Sequence, residues 1–184
     1  MEVTAATRPA SNRLLVAAAV GAAVALALGV YGNVHDPSQE LVFTMFFSST
    51  ISMKVWFATL ALAFAVVQVT TALWIYGKLG AQAPDWASPL HRISGRLAFL
   101  STLPVAYHCL WSLGFQDTDT RVLAHSILGC AFYGAFAAKV TIVRSRNLPG
   151  WALPVAGGLI VAVLVVTWYT SALWFIREQG WPDL

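Results

Sequence analysis

Charge is what this sequence has least of. Charged side chains make up 10% of its 184 residues, apolar ones 58%, and the mean hydropathy is +0.69. A water-soluble domain carries about 25% charged residues. The chain therefore lacks the polar surface that a soluble enzyme fold or a nucleic-acid-binding domain requires, and no nucleic-acid partner is expected. Its net charge of +3 needs none, because basic residues of a membrane protein collect on one side as a topology signal. Two cysteines, Cys109 and Cys130, are too few for a disulfide framework. No phosphate-binding glycine loop, HExxH zinc motif or GxSxG elbow occurs. No CxxCH string occurs either, so any haem is held without a covalent bond. No Asp or Glu falls inside a long apolar run.

Five such runs are present, at about Leu14–Tyr31, Val55–Gly77, Pro89–Leu113, Thr120–Val143 and Trp151–Ile176. Each suffices to cross a hydrocarbon layer that takes about 20 helical residues. Backbone groups in lipid find no water, so each run must be a helix. The expected fold is all-α: one integral membrane bundle of five transmembrane helices over residues 1–184, in the plasma membrane. Arg8, Arg13 and the Ala25-Leu26-Ala27 string give the first run some features of a signal peptide, but it is read as a retained helix.

With the N-terminus inside, Arg8, Arg13, Lys78, Arg92, Arg96, Lys139, Arg144 and Arg146 lie on the inner side. Only Lys54, Arg121 and Arg177 of the 11 basic residues remain outside. This asymmetry predicts N-in, C-out. Tyr31, Trp56, Trp111 and Trp174 would mark the outer interface, and Trp74, Tyr76 and Trp151 the inner one. Ser88-Pro89 reads as a cap and first helical residue for the third span. Asp117, Thr118, Asp119 and Thr120 offer caps for the fourth, and Asn147, Pro149 and Gly150 an inner turn. Within the long outer connection Gly32–Met53, the apolar stretch Leu41–Phe47 reads as an interfacial or re-entrant helix, or as an extension of the second span.

Ionisable residues inside a bilayer mark functional sites by default. Of four histidines, His35 lies in the outer connection as a solvated loop residue, and His91 in the first turn of the third span. His108 and His125 lie inside the third and fourth runs. His108 is 16 residues from Arg92, and His125 is 19 from Arg144, about 24 and 28 Å of helix rise, so both sit at similar depth below the outer surface. Two imidazoles facing across a bundle can take both axial positions of a b-type haem. Gly129, one turn below His125, makes room for a flat macrocycle. Arg121 at the outer surface can pair a propionate. Ser101 and Pro104 share the His108 face, and Pro104 should kink the helix there. A second haem would take ligands about 14 residues further along each helix, back on nearly the same face. That step lands on Ser94 and Lys139, and His91 is turned about 100° away, so one non-covalent haem is expected and a second is not.

The string HSILG, His125–Gly129, resembles the HSWLG string of the cytochrome b-561 family, and HRISGR, His91–Arg96, resembles bacterial multi-span haem anchors. The resemblance implies a membrane-embedded b-type haem protein that moves electrons. The sequence departs from that family in lacking the four in-membrane histidines that two haems need. The Ala-, Val- and Trp-rich composition also resembles an actinobacterial five-span family. The expected function is one-electron transfer near the outer face, from quinol or a redox subunit to an extracytoplasmic acceptor such as a Rieske protein or cytochrome c. A non-enzymatic membrane anchor or assembly subunit, with the polar residues serving packing only, stands as the alternative. A small transporter or proton channel is a third, less favoured because no inverted repeat and no acidic residue inside a span is visible. Gln68, Thr70 and Thr71 read as interhelical hydrogen-bonding groups, Lys139 as a snorkelling side chain.

Overall fold

The computed structural model describes residues 10–38 and 43–184; Arg8, Leu41 and Val42 lie outside the described residues. Five long helices and no strand occur among them: α1 Ala10–Val34, α2 Thr50–Ile75, α3 Ala87–Tyr107, α4 Thr120–Arg144 and α5 Ala152–Trp168. Two of them change register towards their C-terminal ends. α3 continues as a π-helical stretch, His108–Leu113. α5 continues through a π-helical stretch, Tyr169–Leu173, into a last α-helical segment, Trp174–Gln179. The all-α expectation holds, with each apolar run on one helix. α1, α2, α4 and the extended α5 are long and apolar enough to cross a membrane. α3 is not among them, because His91, Arg92, Ser94 and Arg96 dilute its inner half.

Local chemistry sets the helix starts. Ser49 accepts the Ser52 N–H at 3.1 Å and Asp119 accepts the Val122 N–H at 2.9 Å, each satisfying one of the free donors of a first turn. Asp119 is thus the cap among the four candidates before α4. α3 starts at Ala87, one residue ahead of the expected Ser88 cap, with no side-chain cap bond. Pro89 still falls in the first turn, where a missing N–H costs nothing. The expected outer helix over Leu41–Phe47 is not found: its described part, Phe43–Phe47, is irregular, and α2 reaches back only to Thr50. Met45 has φ 54°, a left-handed conformation that interrupts a right-handed helix. Phe47 is instead buried, edge-on to Phe57 with ring centroids 5.6 Å apart.

α1 packs along α4, α4 along α5, and α2 along α3, with a lighter α2–α5 contact joining the halves. Small residues govern the first pairing. A Cβ on Gly21 would stand 2.7 Å from the Gly134 carbonyl oxygen, and one on Gly134 would stand 2.5 Å from that of Gly21. Polar groups tie the α2–α3 pair. Gln68 Nε2 donates to Ser94 Oγ at 2.7 Å and to the His91 carbonyl, and Thr71 Oγ1 lies 2.9 Å from His91 Nδ1. Gln68 and Thr71 therefore bond between helices as expected. Thr70 bonds only to the Val66 carbonyl of its own helix. Ala61, Ala65, Phe132 and Leu164 form the buried centre. The C-terminal residues return to the outer end of α2, where Trp56 Nε1 donates to the Pro182 carbonyl at 3.2 Å and stacks near Trp181.

Gly134→Val should force α1 and α4 apart and lower stability by about 1–3 kcal/mol, read as a fall in melting temperature. Gly157→Ala, where an added Cβ meets nothing within 4 Å, should leave it unchanged or raise it. Equal melting of both variants and the parent would show that the α1–α4 crossing is not tight.

Candidate functional site

Consecutive helices joined by a short loop usually pack directly, but α3 and α4 do not form one of the tight pairs. In the inner half they are spaced by rings: Phe99 of α3 stacks on Phe136 of α4 at 4.1 Å and meets Tyr133 edge-on at 5.8 Å. Tyr133 Oη bonds across to Thr102, 2.9 Å from its Oγ1. Above this floor no comparable side chains fill the gap. A cavity of about 310 Å³ remains between α2, α3, α4 and α5, within the usual size of small-molecule sites and as apolar as they are. Its wall extends along α4 from Tyr133 up to Arg121, 12 residues or about 18 Å.

His125, Arg121 and Gly129 all line this cavity. His125 is half-buried, with Nδ1 3.3 Å from the Thr167 carbonyl oxygen and 3.4 Å from Thr170 Oγ1. A carbonyl can only accept, so Nδ1 carries the proton and Nε2 keeps its lone pair. Nε2 makes no hydrogen bond among the described residues. Arg121 donates to the Thr170 carbonyl at 2.8 Å, lies 3.9 Å over the Trp174 ring, and is 3.8 Å from the Asp119 carboxylate. Both side chains are therefore anchored on α5, Arg121 on the Thr170 carbonyl within the π-stretch and His125 on the Thr167 carbonyl two residues ahead of it. A Cβ added at Gly129 meets nothing within 4 Å, so the missing side chain leaves open space in the wall.

His108 is placed differently. It is 1% exposed and absent from the cavity wall, although its neighbour Cys109 is on it. Its Nδ1 lies 2.9 Å from the Pro104 carbonyl oxygen, and its ring meets Phe43 edge-on at 4.5 Å. Nε2 is buried without a partner, as are Thr50 Oγ1 and Ser112 Oγ. Both imidazoles thus carry the tautomer of an iron ligand, with Nδ1 engaged and Nε2 free. His125 alone presents it on the cavity. The register change begins at His108, one turn after Pro104, whose missing N–H leaves the Leu100 carbonyl, a turn before it, without its ladder donor.

His35 is not a solvated loop residue. It is half-buried between Tyr31 and Trp111, at 4.9 and 4.8 Å, with Nε2 3.2 Å from the Trp111 carbonyl oxygen. His91 serves the α2–α3 contact already described. Cys109 and Cys130 are free thiols, and both border the cavity. Among the described residues no group of three or more His, Cys, Asp or Glu converges as a metal centre. The groups that hold His125, Thr167 and Thr170, escaped the sequence reading. Their signal was the run of Thr167, Thr170 and Ser171, hydroxyls that bond back onto their own helix and disturb its ladder.

The chain belongs to a family of unknown function, DUF6529, whose model matches residues 14–183. No curated protein and no solved structure matches it.

Gly129→Ala should be accommodated, with stability unchanged or up to about 1 kcal/mol higher from helix propensity. A melting temperature lowered as far as that of Gly134→Val would mean that this wall is closed.

Proposed function

We propose that this chain is a multi-pass protein of the cell membrane that holds one b-type haem non-covalently near its outer face and passes single electrons through it. The membrane reading takes all five helices as spans, N-terminus inside and C-terminus outside. Four apolar helices support it, as does the gathering of Lys and Arg at one end of the bundle. α3 would span by its packing on α2, which covers its polar inner half.

The observation that carries the haem reading is the His125 ring, held at Nδ1 by α5 with Nε2 free beside an apolar cavity that Gly129 leaves open. When bound, haem supplies a one-electron carrier whose potential is set by its axial ligands and their surroundings. In this reading His125 binds the iron through Nε2. Arg121 and Lys54, both on the cavity wall, supply positive charge for the propionates. Apolar side chains of α3 and α5 exclude water. His108 would be the second residue to hold the group, although its ring now stands against Phe43 and off the cavity wall. The unpartnered Nε2 supports that role, and its position off the wall makes it the weaker half of the pair. Electrons would enter from quinol or a redox subunit and leave to an extracytoplasmic acceptor such as a Rieske protein or cytochrome c. The reading of the chain as a membrane anchor or assembly subunit draws on one observation, the packing of His108 against Phe43 as an ordinary core residue.

Purified, dithionite-reduced protein should show a b-type α band and a positive pyridine haemochrome test. His125→Ala and Gly129→Leu should lose the haem while melting near the parent. His108→Ala should lose or weaken it, and His91→Ala should keep it. A colourless parent protein with a negative haemochrome test removes the haem reading and leaves the anchor. For topology, a reporter active only outside the cytoplasm should be active when fused at the C-terminus; an inactive, stably expressed fusion would overturn the N-in, C-out assignment.

A further inference from the structure

At the opposite end of the bundle from the cavity mouth, α1 and α4 frame a second concavity of about 410 Å³. It is lined by Asn12, Arg13, Val16, Arg144, Ser145 and Arg146. The Gly21–Gly134 contact brings these two helix ends together, and with them three guanidinium groups. Arg13 is half-buried and donates to the Arg146 carbonyl, which fixes its position. Among the described residues no carboxylate pairs with any of the three; the one ion pair is Arg121–Asp119 at the far end. Like charges at short range repel, so the three guanidinium groups, unpaired among the described residues, favour an anion between them.

The surroundings select the anion. Guanidinium forks match the oxygens of a phosphate. Immediately towards the middle of the bundle α1 exposes Val16, on the wall of the concavity, and Val20 one turn further along the same face, at 46% and 38%. A phosphate group thus has a positive cradle and, joined to it, an apolar flank running in the direction of acyl chains. Basic pockets between helices at the inner leaflet hold anionic headgroups in this way.

We propose that Arg13, Arg144 and Arg146 form a binding site for the phosphodiester headgroup of an anionic phospholipid, whose acyl chains start along Val16 and Val20. The inference rests on the membrane-spanning reading and is independent of haem. The site would hold the inner ends of α1 and α4 together, where their own charges push them apart.

The test uses the full chain purified in a neutral detergent. Its melting temperature is measured with added phosphatidylglycerol, phosphatidylcholine or glycerol 3-phosphate, for the parent, R13Q/R144Q/R146Q and R92Q/R96Q. Phosphatidylglycerol should raise the melting temperature of the parent and of R92Q/R96Q by about 5 °C. The triple variant should show no such rise. If the triple variant does not fold, R146Q alone should need severalfold more phosphatidylglycerol for the same rise. An equal rise with phosphatidylcholine, a full rise with glycerol 3-phosphate alone, or an undiminished rise in the Arg variants each overturns the proposal. Failure of the membrane reading is separately visible, as a chain that stays soluble without detergent.

Discussion

The stacked rings of Phe99 and Phe136 set the geometry on which the outer half of this bundle depends. At 4.1 Å between centroids they hold α3 and α4 apart by the thickness of two aromatic side chains, and Tyr133 reaches the same gap to bond Thr102. A helix pair wedged open at one level cannot close at the next without bending. The residues above the wedge on the facing sides are small or moderate in size: Ala106, Cys109, Ser126 and Gly129. They cannot refill the gap, so the cavity follows from the wedge. It is a consequence of where large and small side chains stand, not of any single cavity-forming residue.

Burial among apolar side chains also constrains how such a cavity can carry polar groups, because unpaired buried backbone groups are costly. The two π-helical stretches, His108–Leu113 and Tyr169–Leu173, answer that constraint. In each case a side chain bonds to a carbonyl within or just ahead of the altered stretch. On α5 these are His125 and Arg121, which approach from α4 and are oriented by it. On α3 it is His108, which bonds back to Pro104. A polar ring inside the bundle is thus pinned by backbone rather than by another ionisable group. That leaves its second nitrogen uncommitted, which is the chemical condition for ligating a metal.

The five helices were legible from apolar length, and Asp119 as a cap from its position before such a run. Cys109, beside His108, borders the same cavity as His125. Rotation about the helix axis was not legible. The reading of His108 as facing His125 assumed that the short Gly114–Asp119 loop implies direct packing of α3 on α4. The wedge breaks that assumption, α3 turns its His108 side away from the cavity, and α2 is its packing partner. The Leu41–Phe47 stretch misled for a related reason. Six of its seven residues are apolar, but Phe43 and Phe47 pack onto the rings of Tyr107 and Phe57, and that needs no helix. The aromatic sandwich around His35 was hidden because its three members come from the end of α1 and the π-stretch of α3.

Two glycines of α4 show why composition alone could not have located the site. Gly129 and Gly134 are five residues apart, about 140° round the helix, and so face different neighbours. At Gly134 the absent side chain is occupied by the α1 backbone, and the helices approach as closely as peptide groups allow. At Gly129 it is occupied by nothing. The first absence draws α1 against α4 and sets Arg13 beside Arg144 at the inner end. The second helps keep an opening beside His125 in the outer half. A single helix thus joins a closed face to an open one. The rigid α1–α4 pair is what allows α4 to present His125 and Arg121 from a fixed wall while α3, on the other side of the gap, is held only by its rings and by α2.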